Sequence, residues 1–138
     1  MKHNYQIGDW VYDSGRTKYP MQVVAVFGER NGNICDLDLD FEDNEGDVYQ
    51  RKADEVEPIP ITAEILEISG FIRHNREHDL FVWIPKDREC YDNIRFAFSK
   101  FALIVEFRNI NLWLKDVKYI HQLQQALKLC GINKEIKL

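Results

Sequence analysis

Asp36-Leu37-Asp38-Leu39-Asp40-Phe41 alternates carboxylate and apolar side chain without a break. Successive side chains leave a strand on opposite faces, so a period of two marks a strand with one face packed and the other wet. Leu37, Leu39 and Phe41 read as the packed set and the three aspartates as the outer one. The same punctuation recurs on either side. Ile7-Gly-Asp-Trp-Val-Tyr12 is a short strand opened by a turn, and Val23-Val-Ala-Val-Phe27 is a β-rich run ended by Gly28 and the Asn31-Gly32 turn signal. Beyond Phe41, Asn44-Glu-Gly46 turns the chain and Val48-Tyr-Gln-Arg51 returns it. Residues 1–57 therefore read as all-β, a small barrel or curled sheet of four or five short strands. Ile7-Gly-Asp-Trp-Val11 looks like the first strand of SH3-like barrels.

Pro58-Ile-Pro60 enforces extended backbone and marks a linker over 58–61. Thr62 then offers an N-cap for a two-turn helix over 63–69, stopped by Gly70, with Ile65, Leu66 and Ile68 facing inward. Leu80-Phe-Val-Trp-Ile84, Ile94-Arg-Phe-Ala-Phe98, Phe101-Ala-Leu-Ile-Val-Glu-Phe107 and Ile110-Asn-Leu-Trp-Leu114 read as strands. Connectors as short as Arg108-Asn109 favour an antiparallel meander. Ile120, Leu123, Leu127 and Cys130 recur at helical spacing, Gly131 follows as a C′ residue, and Glu135-Ile-Lys-Leu138 alternates like a short strand. The expected fold is α+β: a barrel-like N-terminal region, then a lobe over 62–138 in which the last helix packs across the meander.

Two segments carry a family resemblance. Glu57-Pro-Ile-Pro-Ile-Thr-Ala-Glu-Ile-Leu-Glu-Ile-Ser-Gly-Phe71 and Tyr119-Ile-His-Gln-Leu-Gln124 resemble a set of small proteins encoded by phages and integrated elements of gut bacteria. Those proteins pair a "Glu-Pro-Ile-Pro-Leu-Thr, helix, Gly-Phe" segment with a closing "His-Gln-Leu-Gln" helix. The resemblance implies a mobile-element context and brings no activity with it.

An apolar content of 45%, with three Trp, six Tyr and eight Phe, suffices for a core. No apolar run approaches the roughly 18 residues of a membrane span, and the opening Met1–Trp10 has no apolar signal region. A soluble, cytoplasmic protein is expected. Cys35, Cys90 and Cys130 are odd in number and widely spaced, which suggests reduced thiols and neither a disulfide framework nor a zinc knuckle. Cys130 reads as a small core residue.

The net charge of −5 is unevenly distributed: residues 29–57 hold eleven acidic and three basic side chains. Such a balance opposes general attachment to phosphate backbones, where a basic face supplies affinity. The run Asp36, Asp38, Asp40, Glu42, Asp43, Glu45, Asp47 could imitate a calcium loop. However, Phe41 stands where that loop needs Gly, and Asp47 where it needs Glu. A solvated strand face, or a row of carboxylates that docks on a basic partner, fits better.

His74-Asn-Arg-Glu-His78-Asp79 offers imidazoles four apart, but it reads as a polar hairpin loop rather than a metal site. Arg95-Phe-Ala-Phe-Ser-Lys-Phe101 partly imitates an RNA-recognition strand, but it lies in a meander order foreign to that fold. No nucleophile elbow, Walker loop or dinucleotide fingerprint is present. His121 and Gln122-x-Gln124-Gln125 occupy the polar side of the last helix. The plain reading is an exposed face, or a His capping a nearby carbonyl; the preferred one is a structural role, with Tyr119 and His121 anchoring the helix on the sheet.

The expected function is non-catalytic, without cofactor or metal. It is stoichiometric binding of a host protein that has a basic nucleic-acid-binding groove, such as a defence nuclease, in the manner of an anti-CRISPR inhibitor. The expected contacts are Asp36, Asp38, Asp40, Glu42, Asp43 and Glu45. The alternative is a nucleic-acid-binding small-barrel module acting through Trp10, Tyr12, Arg16, Lys18 and Tyr19.

Overall fold

Among the described residues, short β-prone runs separated by turn residues become two five-stranded antiparallel sheets and two helices. The computed structural model describes residues 4–14, 20–30, 33–40, 49–75, 80–84, 94–99, 102–107, 110–132 and 134–138. The chain forms two compact units, Met1–Pro60 with Tyr119–Gln125, and Ile61–Lys118 with Ala126–Leu138.

The first unit holds β1 (Trp10–Asp13), β2 (Pro20–Arg30), β3 (Asn33–Asp40), β4 (Tyr49–Lys52) and β5 (Val56–Pro58), in the order β4-β3-β2-β1-β5. A 3₁₀ turn, Ala53–Glu55, leads into β5. The inner face buries Val11, Met21, Val23, Leu37, Leu39 and Val56 together with Tyr5. Asp13 is also buried there and pairs with Arg51 from β4 at 3.0 Å. The sheet is open: β4 and β5 are its edges, and no pairing joins them among the described residues.

The opening turn is built as the sequence requires. Asp9 N–H donates to Gln6 C=O at 3.1 Å, and Gly8 takes φ +97°. A β-turn with positive φ at its third position needs glycine there. One boundary differs from the sequence reading. Gly28 does not end β2; it adopts φ +70° within the strand, and pairing continues through Glu29↔Ile34 and Arg30↔Asn33. The segment expected to be a linker is also built into this unit. Pro58 pairs with Val11, Ile59 is fully buried, and Pro60 bridges to Tyr119.

The second unit holds a sequential meander of β6 (Ile72–Asn75), β7 (Leu80–Trp83), β8 (Ile94–Ser99), β9 (Ala102–Phe107) and β10 (Ile110–Leu114). Phe81, Phe96, Phe98, Leu103 and Val105 are buried, as are Leu66 and Phe71 before the sheet and Leu127, Ile132 and Ile136 after it.

Helix α1 (Ala63–Ile68) starts where Thr62 Oγ1 accepts from Ile65 N–H at 3.2 Å. It ends in a Schellman motif: Phe71 N–H reaches Leu66 C=O at 2.9 Å and Gly70 N–H reaches Glu67 C=O at 3.1 Å, with Gly70 at φ +97°. Only Leu66 of the three expected inward residues is buried; Ile65 is half-buried and Ile68 is 58% exposed. A helix of six residues presents too short a face to bury all three.

Helix α2 (Ile120–Leu129) ends the same way, with Ile132 N–H to Leu127 C=O and Gly131 N–H to Lys128 C=O, both 2.9 Å. The expected strand over 135–138 is absent. Ile136 is the buried side chain of 135–138, and Lys137 N–H donates to Ser69 Oγ at 2.9 Å. A side-chain hydroxyl thus takes the place of a partner strand.

Candidate functional site: the outer face of the first sheet

The alternation of β3 places its residues on opposite faces as expected. Leu37 and Leu39 are fully buried, and Asp36, Asp38 and Asp40 lie half-buried on the outer face. Consecutive carboxylates on such a face stand about 6.7 Å apart. Their neighbours across the sheet complete the surface. Asp36 lies opposite Lys52 on β4 and Phe27 on β2, Asp38 opposite Gln50 and Ala25, and Asp40 opposite Gln22. Gln22 in turn lies opposite Trp10, and Tyr12 lies opposite Glu57 on β5. Trp10 and Tyr12 are half-buried, and Phe27 is 43% exposed.

One sheet face therefore joins the acidic residues of the host-protein expectation with the aromatic residues of the nucleic-acid alternative. Phe27 and Glu57 belong to this surface and were not singled out from the sequence. Phe27 sits in a run that reads as uniformly buried, so only the register reveals its side. Glu42, Asp43, Glu45, Arg16, Lys18 and Tyr19 lie outside the described residues.

The other sequence candidates separate. His74 sits exposed on strand β6 rather than in a loop, and His78 and Asp79 lie outside the described residues. Among the described residues, no group of three or more His, Cys, Asp or Glu could hold a metal. Phe96 and Phe98 of the RNA-like stretch are buried at 0% and 6% exposure, so neither presents a ring for base stacking. Cys130 is half-buried, and burial pushes its thiol pKa up, which opposes thiolate chemistry.

His121 is not on an exposed face: it is 2% exposed, with its ring 4.9 Å from that of Tyr5 and stacked on Tyr119 at 6.0 Å. The glutamines beside it hold backbone. Gln122 Oε1 accepts from Tyr119 N–H at 3.1 Å, as in a capping box. Gln124 Oε1 accepts from Trp10 N–H and its Nε2 donates to Gly8 C=O, both at 3.0 Å. Gln125 Nε2 donates to Asn4 C=O at 2.9 Å and to the buried Asp9 carboxylate at 2.8 Å. Burial, with Asp9, Tyr119 and Glu57 adding to it, pushes the Tyr5 hydroxyl up to about 12. The "His-Gln-Leu-Gln" segment is thus a clamp on the turn that launches β1. It holds the Trp10 backbone through that N–H.

A cationic–aromatic cluster, also missed in the sequence, lies in the other unit. Lys134 Nζ stands 4.2 Å from the Trp83 ring centroid and 5.8 Å from that of Phe71. Burial, then the neighbouring Lys137, lowers the Lys134 pKa, with Glu135 opposing.

No protein-family model matches the chain, and neither a curated protein nor a solved structure matches it. No helix among the described residues is long and apolar enough to cross a membrane.

Proposed function

We propose that the protein is a non-catalytic binding module, encoded on a phage or mobile element, that engages a host protein through the outer face of its first sheet. The observation that carries this reading is the row Asp36, Asp38, Asp40, held on a strand whose alternate leucines are fully buried. The carboxylates are thereby fixed in spacing and direction before any partner arrives. Preorganised like charges flanked by Trp10, Tyr12 and Phe27 suit a basic surface that also offers flat or apolar contact, as a nucleic-acid-binding groove does. Inhibition of a bacterial defence nuclease, in the manner of an anti-CRISPR protein, is the role such a surface would serve. The resemblance of the 57–71 and 119–124 segments to phage-encoded proteins supports the same context.

Affinity capture from host lysate, with and without nuclease treatment, tests the reading. A dominant protein that survives nuclease, and that the triple variant Asp36→Lys, Asp38→Lys, Asp40→Lys no longer captures, is the expected result. Equal capture by a folded triple variant would sink it.

The strand order β4-β3-β2-β1-β5, with a 3₁₀ turn ahead of β5, supports an SH3-like small barrel as the finer description of the first unit. That architecture, and the position of Trp10 and Tyr12 on the same face, favours a second reading as a nucleic-acid-binding module. A low-salt gel shift with single- and double-stranded DNA and RNA separates the two.

A further inference from the structure

Among the described residues, the two sheets present four edges, β4, β5, β6 and β10. An unpaired edge is a template for another strand, and proteins blunt such edges with charge, proline, bulges or brevity. Three of these edges carry such devices. β4 ends in Arg51-Lys52, β5 is three residues long with Glu57 and Pro58, and β6 carries Arg73 and a register shift before Asn75. β10, Ile110-Asn-Leu-Trp-Leu114, has none of them. It is uncharged, lacks proline, and pairs with β9 through five residues without a shift. Leu112 and Trp113 on it are 51% and 57% exposed, and no described strand pairs with its outer side.

We propose that β10 is a self-pairing edge, at which a second copy of this chain adds antiparallel through its own β10. Antiparallel pairing of a strand with its copy is two-fold symmetric, so one edge serves both partners. Centred on Leu112, the register sets Leu112 against Leu112 of the second copy, Ile110 against Leu114, and Asn111 against Trp113. Each pair keeps its side of the sheet, because the register joins residues of like parity. Leu112, which lies opposite Val105 on β9, then extends the buried side of the meander across the junction. No charge opposes a like charge within the paired residues, and the two copies of Lys115 stand about 20 Å apart along the strands.

The same self-pairing would fail elsewhere. On β4 an antiparallel copy centred on Arg51-Lys52 brings cations together, and on β5 Pro58 lacks the donor. Five residues a side bury less than the roughly 1,200–2,000 Å² of a standard interface, so a weak, concentration-dependent dimer is expected. The acidic face belongs to the other unit, which lets the two surfaces be tested separately.

Sedimentation velocity of the full chain, from low micromolar to near-millimolar concentration, is the test. A monomer–dimer equilibrium is expected, weakened at least about tenfold by Leu112→Lys. Trp113→Lys, at a more exposed position, should do the same, and Ile72→Lys on the β6 edge should leave it unchanged. Alternate β10 amides should exchange hydrogen more slowly at high concentration in the parent chain. A monomer throughout overturns the proposal and leaves the edge to a strand of another protein. A dimer indifferent to both β10 variants overturns it in favour of a different surface.

Discussion

Replacing Gln124 with Met removes both of its hydrogen bonds while keeping side-chain length, and the structure sets the size of the effect. Gly8 C=O loses Gln124 Nε2 but retains Gln22 Nε2 at 3.1 Å, so it keeps a partner. Trp10 N–H loses Gln124 Oε1 at 3.0 Å, the acceptor that the helix supplies to it. A part-buried donor left unsatisfied costs about 1–3 kcal/mol. That cost corresponds to a fall in melting temperature of about 3–9 °C for a chain of this size. Urea unfolding followed by circular dichroism should show a lower midpoint with an unchanged slope, because the surface exposed on unfolding stays the same. Gln122→Ala is the control: it removes the cap on Tyr119 N–H, worth about 0.5–1 kcal/mol. If Gln124→Met is no more destabilising than that control, the clamp does not hold β1 and the glutamines are a surface feature.

Three further outcomes follow from particular contacts. Arg51→Met should cost about 1–3 kcal/mol, read by urea unfolding, because it leaves the buried Asp13 carboxylate without its guanidinium, a pair that solvent partly screens at the 27% exposed Arg51. Tyr5 holds its proton up to about 12 in the folded protein, against about 10 when unfolded. Stability from this group is therefore complete below pH 10 and lost as pH rises from 10 to 12. Denaturation at pH 9 and pH 11 should show that fall, on the order of 1–2 kcal/mol, and Tyr5→Phe should reduce it. Gly70→Ala should cost about 1–2 kcal/mol, since φ +97° strains any side chain and the new Cβ would meet Lys134 Nζ at 3.4 Å. Gly131→Ala, at φ +76° in the matching motif, should behave similarly.

Periodicity and punctuation were enough for most of the local structure. The alternation of 36–40, the Thr62 cap and the two glycine helix stops each depend on residues within a few positions, where sequence carries the whole cause. Long-range choices were not legible in this way. A four-residue alternation at 135–138 cannot show whether a partner strand exists, and Ser69 turned out to hold that segment instead. A six-residue helix cannot show which of three isoleucines and leucines faces in.

The helix segment 120–126 is the instructive case. Its polar residues looked solvated, yet they include no Lys, Glu, Asp or Arg in a chain that is 30% charged. Uncharged donors and acceptors without charge are what buried backbone requires, and that absence was the available signal.

By itself, the sequence determined most of the strands, the Thr62 start of the first helix and the glycine stops of both, and that acid gathers in one region, because propensity, capping and alternation act over short separations. Tertiary structure alone decided the face of runs without alternation, such as that of Phe27, and which edge is left unguarded. It also decided what the glutamines of α2 hold. Those outcomes depend on cross-strand register and on hydrogen bonds between residues more than a hundred positions apart, such as Gln124 with Trp10. No local pattern encodes a separation of that length.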